Sequence, residues 1–526
     1  MVTLKSYLCG RWHAGSGHPR VLTHAITGEP IAQCTSEGLD LRAALDYARR
    51  VGGPRLRAMT FQQRAAMLKQ MCDVLNQHLE ESYEIAYTYG VTRADAHGDI
   101  EGGIFTLGTY SSLGRRNLPD STFLVDGDAI PMSRGGNFGG QHVWVPLEGG
   151  LIQINAFNYP SWGMLEKLGP SLLAGVPSLV KPAVDTAWLT FRMVELLIES
   201  GVVPDGALQM LCGSVGDLLG HVTNQDMISF TGSADTSGQI RAHPAVIRNA
   251  VRLNVETDSL NSLILAPDVG TSAPLFHAFI DTAVGEMRNK SGQRCTCVRR
   301  ILVPIEREGA VIDALRESLG KIRVGDPKIE GVTMGALVNQ RALTEVRERV
   351  GVVTQESDTV FGNPHRVEFE GGSSAPGKGA FLEPILLRSR DAASARVVNT
   401  VEAFGPVATV MACSDLDQAI GVARRGEGSL VASAYTADEA TMGKLTLALA
   451  PYHGRLLMIT NEQAAKESTG YGTATPVTVH GGPGRAGGGE ELGGLRAIYK
   501  FMQRAAVQGS PEALKRMIEP ALPRAT

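Results

Sequence analysis

The sequence predicts an α/β fold built on two doubly wound parallel sheets. Three observations carry this prediction. From about residue 141 onward, short apolar runs that end in Gly or Pro alternate with helical segments. A second alternating series begins near Ser262. The chain has 526 residues, enough for two or three domains. Alternation of strand and helix implies parallel sheets that bind ligands at the strand carboxyl ends.

Taken in order, the first stretch reads as helical. Thr60 with Gln63 forms a capping-box pattern, and Met67, Leu68, Met71, Val74, Leu75 and Leu79 follow on one helical face. The first series has strands at 150–156, 178–181, 208–212 and 227–230. Helices at 162–173 and 187–200 lie between them, the second stopped by Gly201. The second series has strands at 262–266, 300–304, 407–412, 430–435 and 455–459, with helices at 273–287, 307–322 and 416–425. Segment 479–494 carries eight glycines, among them Gly487, Gly488 and Gly489. Arg485 and Glu490-Glu491-Leu492 interrupt the run, so it reads as an ordered loop and not a linker. No fixed-period repeat is present.

Composition limits the function classes. The apolar fraction is 43% and the charged fraction 20%, as in ordinary globular proteins. A net charge of −4 gives no global basic field for nucleic acid. Arg299-Arg300 reads as a solvated face or a local ion pair. No run reaches the ~18 apolar residues of a membrane span, and the N-terminus lacks a signal-peptide core. A cytoplasmic location is expected. Seven scattered cysteines argue for free thiols.

Four motifs carry chemistry. Ser229 to Thr236 spans a strand end and a helix start. There Gly232 admits close backbone approach and Ser233 adds a hydroxyl, which suits a phosphate; a plain N-cap is the alternative. Ser291-Gly292-Gln293-Arg294-Cys295-Thr296-Cys297 should be a loop that presents a thiol, with Arg294 as a local charge. A metal fragment has no companion Cys pair or His cluster nearby, and an inert pair is the other alternative. Lys181 ends a strand and can reach a ribose or phosphate, or simply lie on the surface. Glu256 closes the first α/β series, where it can serve as a general base or as a capping or salt-bridge residue. Asp258 competes for that role.

The order of the motifs is more specific than any one of them. Asn158-Tyr159-Pro160, Lys181-Pro182, Phe230-Thr231-Gly232-Ser233, Glu256, Gly292-Gln293-Arg294-Cys295 and Glu402-Ala403-Phe404-Gly405-Pro406 follow one another. This series resembles the aldehyde dehydrogenase superfamily over essentially the whole chain. Further segments resemble the dehydrogenase part of the bifunctional ring-opening enzymes of aerobic phenylacetate catabolism. They include 35–40, 56–61, 99–104, Asn461-Glu462 with Lys466-Glu467-Ser468-Thr469-Gly470, and 480–496. The semialdehyde dehydrogenases of the benzoyl-CoA epoxidation pathway are similar too. In the bifunctional enzymes a hydratase follows. This sequence stops at Thr526, so that second activity is expected to be absent.

The resemblance implies the aldehyde dehydrogenase fold: a Rossmann-like cofactor domain (1–122 and 146–257), an α/β catalytic domain (258–455), an oligomerisation arm (123–145 and 456–499) and a C-terminal tail (500–526). It implies Cys295 as nucleophile, Glu256 as the base for the hydrolytic water, and Asn158 with the Cys295 N–H as oxyanion hole. Lys181 would hold the adenosine ribose, Gly232 and Ser233 the pyrophosphate, and Glu402 the nicotinamide ribose. Phe157 and Phe404 would pack near the ring. The Gly-Gln-x-Cys register favours Cys295 over Cys297.

The departures are informative. Three residues after Lys181, where many members carry Glu, stands Val184. A carboxylate there would repel a 2′-phosphate and valine does not, so NADP is expected over NAD, with Asp185 next door as the counter-indication. Glu256-Thr257-Asp258-Ser259-Leu260 replaces the usual Glu-Leu-Gly-Gly-Lys run, and Ser237 stands where many members have glycine. The expected activity is NADP-dependent oxidation of a CoA-linked semialdehyde: 3-oxo-5,6-dehydrosuberyl-CoA semialdehyde first, 3,4-dehydroadipyl-CoA semialdehyde second. A CoA-acylating enzyme would leave Glu256 idle, and a non-catalytic protein would not need Cys295, Glu256 and Asn158 together. A homo-oligomer, a small-molecule substrate, and neither a metal nor a nucleic-acid partner are expected.

Overall fold

The computed structural model describes residues 1–464, 475–488 and 492–519. The segment Lys466 to Gly470, and Gly489, Glu490 and Glu491, lie outside the described residues.

The first sheet has seven strands. In spatial order they are Arg252–Glu256, Met227–Thr231, Leu151–Ile154, Ser178–Lys181, Leu208–Met210, Ser6–Leu8 and Arg11–His13. The first five are parallel. The last two are an antiparallel hairpin added at the edge. The strands alternate between two cores. Leu151 and Val180 pack with Leu68, Leu107, Leu168 and Leu197, whereas Ile152 and Leu179 face Leu45, Phe230 and Val255. Burial on both faces explains their almost wholly apolar sequences. The chain leaves Leu151–Ile154 to one side through Ser178–Lys181, then returns to the other side at Met227–Thr231. That reversal is a topological switch point, where a crevice opens beyond the strand ends.

The second sheet is also seven-stranded. Its order is Ser357–Phe361, Ile385–Ser389, Val407–Cys413, Val298–Pro304, Asn261–Leu265, Ser429–Tyr435 and His453–Ile459. Only Ser357–Phe361 runs antiparallel.

The first stretch is not all helix: five short strands occupy Val2 to Cys34. The hairpin Ser6–Leu8 to Arg11–His13 turns through Cys9 (φ 51) and Gly10 (φ 75). Two consecutive left-handed residues make a turn that matches strand twist, but Cys at the first position gives no sequence signal for it. The helix Phe61–Asn76 does start on the expected capping box: the Thr60 N–H donates to Gln63 Oε1 at 2.9 Å, and the Gln63 N–H to Thr60 Oγ1 at 3.3 Å.

The arm differs from its expected limits. The hairpin Leu124–Pro131 and Gly139–Pro146 pairs with Met502–Gly509, not with any strand in 456–499. His453–Ile459 instead extends the second sheet beside Ser429–Tyr435. Its continuous Leu456-Leu457-Met458-Ile459 run suits a parallel sheet, while Met502–Gly509 mixes polar and small residues and is exposed or half-buried after Met502. What reads as a tail therefore holds a strand and the helix Pro511–Ile518.

Arg299 and Arg300 are not solvated; they are 4% and 0% exposed inside the strand Val298–Pro304. Arg300 donates to the carbonyls of Leu260, Val422 and Ala423 and to Asn399 Oδ1, and burial pushes its pKa down to about 9. Arg300→Met leaves these acceptors without donors. It is expected to cost about 3 kcal/mol or more, read as a lower urea midpoint of unfolding.

Candidate active site

The crevice at the switch point is a cleft of about 490 Å³ between the two sheets. Phe157, Asn158, Lys181, Gly232, Ser233, Glu256, Cys295, Glu402 and Phe404 all line it. The fold makes this possible: Phe157 and Asn158 follow one strand, and Lys181 and Glu256 end two others. Gly232 and Ser233 follow a fourth, while Cys295 and Glu402 come from the second domain.

The nucleophile loop is conformationally forced. Lys290 (φ 50), Ser291 (φ 52) and Gly292 (φ 67) are three consecutive left-handed residues. Asp95 Oδ1 accepts from the Lys290 N–H at 2.9 Å, and Ser291 Oγ donates to the Gly335 carbonyl at 3.0 Å. A Cβ at Gly292 would lie 2.1 Å from the Gly405 carbonyl oxygen, so only glycine fits. Asn261 Nδ2 donates to the carbonyls of Cys295 and Cys297 at 2.8 and 2.9 Å. The two thiols then part. Cys297 is fully buried, donates to the Glu286 carbonyl at 3.1 Å, and has its pKa raised by burial to about 11. Cys295 opens to the cleft. All seven cysteines are free.

Cys295 Sγ, a carboxylate oxygen of Glu256 and an imidazole nitrogen of His480 lie within 4.8 Å of one another. Burial first, and the Glu256 charge second, push the Cys295 thiol well above its ordinary pKa. Arg294 forms a buried ion pair with Glu286 at 2.9 Å, and its charge still opposes the rise of the Cys295 pKa. Asp258 does not compete as base. It accepts from the Ala234 N–H at 3.1 Å and pairs with Arg485 at 3.4 Å.

Other groups hold the cleft walls. Glu402 accepts from Arg299 Nε and from the Ser259 N–H, each at 3.1 Å. Burial raises its pKa against the opposing effect of Arg299. Phe157 and Phe404 meet edge to face, 5.8 Å between centroids. Ser233 caps the helix Ala234–Arg241, accepting from the Thr236 N–H at 3.3 Å. The Thr231 hydroxyl and Gln293 Nε2 line the cleft buried and without a protein partner, as donors meant for a ligand are. The glycine-rich loop closes the floor: the Thr257 N–H donates to the Ala486 carbonyl at 3.1 Å, and a Cβ at Gly487 would strike the Val255 carbonyl oxygen at 2.0 Å.

Sequence reasoning missed Arg20, Arg341, Glu166 and His480. Arg20 and Arg341 line the Lys181 end of the cleft from distant segments. Burial and then the Arg20 charge lower the Lys181 pKa. Asp185 is paired with Arg341 at 2.8 Å. Glu166 and His480 each lack a local motif; only the fold brings them to Glu256.

A thiol and a carboxylate meet beyond a switch-point crevice. The chain belongs to the aldehyde dehydrogenase family, whose model matches residues 12–504. It is 41% identical over 481 residues to a 3,4-dehydroadipyl-CoA semialdehyde dehydrogenase of Aromatoleum evansii, covering 91% of this chain and 93% of that one. It is 26% identical to the NADP(+) succinate-semialdehyde dehydrogenase GabD of Escherichia coli strain K12, covering 82% and 84%. Betaine aldehyde dehydrogenase of Staphylococcus aureus, solved with NAD+, shares the fold at a TM-score of 0.83 and 21% identity, with 97% of each chain covered.

Cys295→Ala is expected to abolish aldehyde oxidation, and Cys297→Ala to leave it within about threefold, measured as initial rates of reduced-cofactor formation. The raised Cys295 pKa has a further consequence. Its alkylation by iodoacetamide should rise about tenfold per pH unit through neutrality, without a plateau below about pH 9.

Proposed function

We propose that this enzyme oxidises a CoA-linked semialdehyde to the carboxylic acid with NADP. The observation that carries the chemistry is the convergence of Cys295 and Glu256 in the cleft. Cys295 Sγ attacks the aldehyde carbon, and its proton passes to Glu256. Asn158 and the Cys295 N–H stabilise the oxyanion of the thiohemiacetal. Bound nicotinamide supplies the hydride acceptor. Glu256 then releases that proton to solvent, takes another from the water that attacks the thioester, and passes it to Cys295, which leaves as the thiol. Lys181, Ser233 and Glu402 anchor the dinucleotide, and Phe157 and Phe404 flank its ring. Hydrolysis, and not transfer to free CoA, follows from a carboxylate so near the sulfur.

Three features support NADP. Val184 replaces the carboxylate that would repel a 2′-phosphate. Arg20, Lys181 and Arg341 line that end of the cleft. The nearby Asp185 is neutralised by Arg341. For the acyl chain, the relative from Aromatoleum evansii supports 3,4-dehydroadipyl-CoA semialdehyde over nearly the full chain. The longer 3-oxo-5,6-dehydrosuberyl-CoA semialdehyde is the second reading, favoured by the segment likenesses such as 99–104 and 56–61. An arm strand at Met502–Gly509 suits a homo-oligomer.

Comparing kcat/KM for the two semialdehyde thioesters, each with NADP and NAD, tests the whole reading. A preference for NADP of at least about tenfold is expected. Arg20→Ala should raise the KM for NADP about tenfold and change that for NAD little. A strong NAD preference, or equal loss with both cofactors, would overturn the cofactor assignment.

A further inference from the structure

Beside the nucleophile a histidine is clasped by two carboxylates. His480 is buried. Its Nδ1 lies 2.7 Å from Glu166 Oε2, and its Nε2 lies 3.3 Å from Glu256 Oε2. Its ring meets Trp162 edge to face, 4.8 Å between centroids. Glu166 is itself buried in the helix Trp162–Ala174. Lys167 Nζ stands 4.0 Å from it and donates to the Gly163 carbonyl at 3.1 Å.

We infer that His480 is a positioning residue: as an imidazolium it bridges Glu166 and Glu256 and holds the Glu256 carboxylate ionised and aimed at the water that attacks the acyl-enzyme. This rests on Glu256 being the base of the proposed function. The argument is electrostatic. Two buried carboxylates on one imidazole repel each other and lose solvation, which favours protonating one of them. A protonated base cannot take a proton from water. A cation between them removes that cost.

Among the described residues, the charged and titratable groups around the imidazole are few. Glu166 faces it from the helix Trp162–Ala174, with Lys167 beside Glu166. Glu256 faces it from the strand Arg252–Glu256. Cys295 faces it from the nucleophile loop. Arg455 comes from the strand His453–Ile459, with Arg294 next to Arg455, and donates to the Val479 carbonyl at 2.8 Å. Burial works against a charged His480, but Glu166 and Glu256 outweigh it and hold its pKa above the ordinary histidine value. The imidazolium is lost as pH rises through that raised pKa.

The test uses the full-length enzyme and its His480→Gln and His480→Phe variants. Reduced-cofactor formation is followed before and after the first turnover, between about pH 6 and 9, with the semialdehyde thioester and NADP. Both variants should lose at least about tenfold in the burst and in the later rate at neutral pH, because Glu256 takes a proton in both steps. The acid limb of that later rate should move up by about one pH unit. A purely structural histidine would lower the rate without moving the limb, and an unmoved limb overturns the inference. Glu256→Gln separates the two claims. If it leaves the later rate intact, the base assignment itself is wrong; if it stops turnover while the His480 limb stays put, only His480 is misassigned. A measurement on the wild type guards against misfolded variants. With ¹⁵N-labelled histidine, one imidazole should lose its second proton at a higher pH than an ordinary histidine does. If none does, the inference fails.

Discussion

The site hangs on one buried guanidinium. Arg299 donates through Nη1 to the Gly405 carbonyl at 2.7 Å, and through Nη2 to the carbonyls of Gly292 and Arg294 at 3.0 and 3.3 Å. Its Nε holds Glu402 at 3.1 Å, and its plane lies 5.3 Å from the Phe404 ring centre. The Gly-Gln-x-Cys loop and the Glu-x-Phe-Gly-Pro segment are over a hundred residues apart in sequence. This side chain fixes their separation to within a hydrogen bond. A lysine would supply a charge but not a planar fork aimed at several acceptors. Burying a cation is costly, and only a full set of partners offsets the lost solvation. The arginine therefore specifies one arrangement of both segments and leaves little room for a second.

That constraint explains why the loop tolerates three left-handed residues. Two of them, Lys290 and Ser291, carry side chains for which this backbone is unfavourable. Asp95 and Gly335 hold their polar groups, Arg299 holds the Gly292 carbonyl, and Asn261 ties the carbonyls on both sides of Thr296. The outcome is a division between two cysteines only two residues apart. One thiol turns into the core and the other faces the cleft. Rigid placement matters more here than a lowered thiol pKa. Cys295 is held as a thiol by burial and by Glu256, and the same carboxylate is close enough to accept its proton when an aldehyde arrives.

Much of this was legible in the sequence where the signal is local. Both alternating series fell within a few residues of their positions, because buried parallel strands are apolar runs with Gly or Pro at their ends. The nine cleft residues could be read from motif order, and the structure gathers them in one cleft. What stayed hidden is nonlocal. Arg299-Arg300 looks like a surface charge pair until the strand Val298–Pro304 proves central. Arg294 reads as a charge beside the thiol, but nothing local shows that Glu286, on the preceding helix, pairs with it. The residues Glu166 and His480 belong to no motif, and Arg20 sits on an N-terminal strand that reads as nothing in particular. Pairing partners for charges are set by tertiary contact, which periodicity does not encode.

The two ends of the cleft use charge in opposite ways. At the Lys181 end Arg20 and Arg341 are exposed, so their attraction for an anion acts through water and is screened by salt. At the reaction end Glu166, His480 and Glu256 are all buried, where screening is weak and each charge depends on its neighbour. Exposed arginines can gather a polyanion without fixing its geometry, which suits a ligand that must bind and leave each turnover. A buried histidine between two acids cannot exchange partners with solvent, which suits a base that must present one lone pair to one water. The overall charge of −4 reveals neither arrangement, because it averages a basic rim with an acidic interior. The scaffold's main work is to keep these two environments apart within one crevice, and the strand order that places the switch point between them does so.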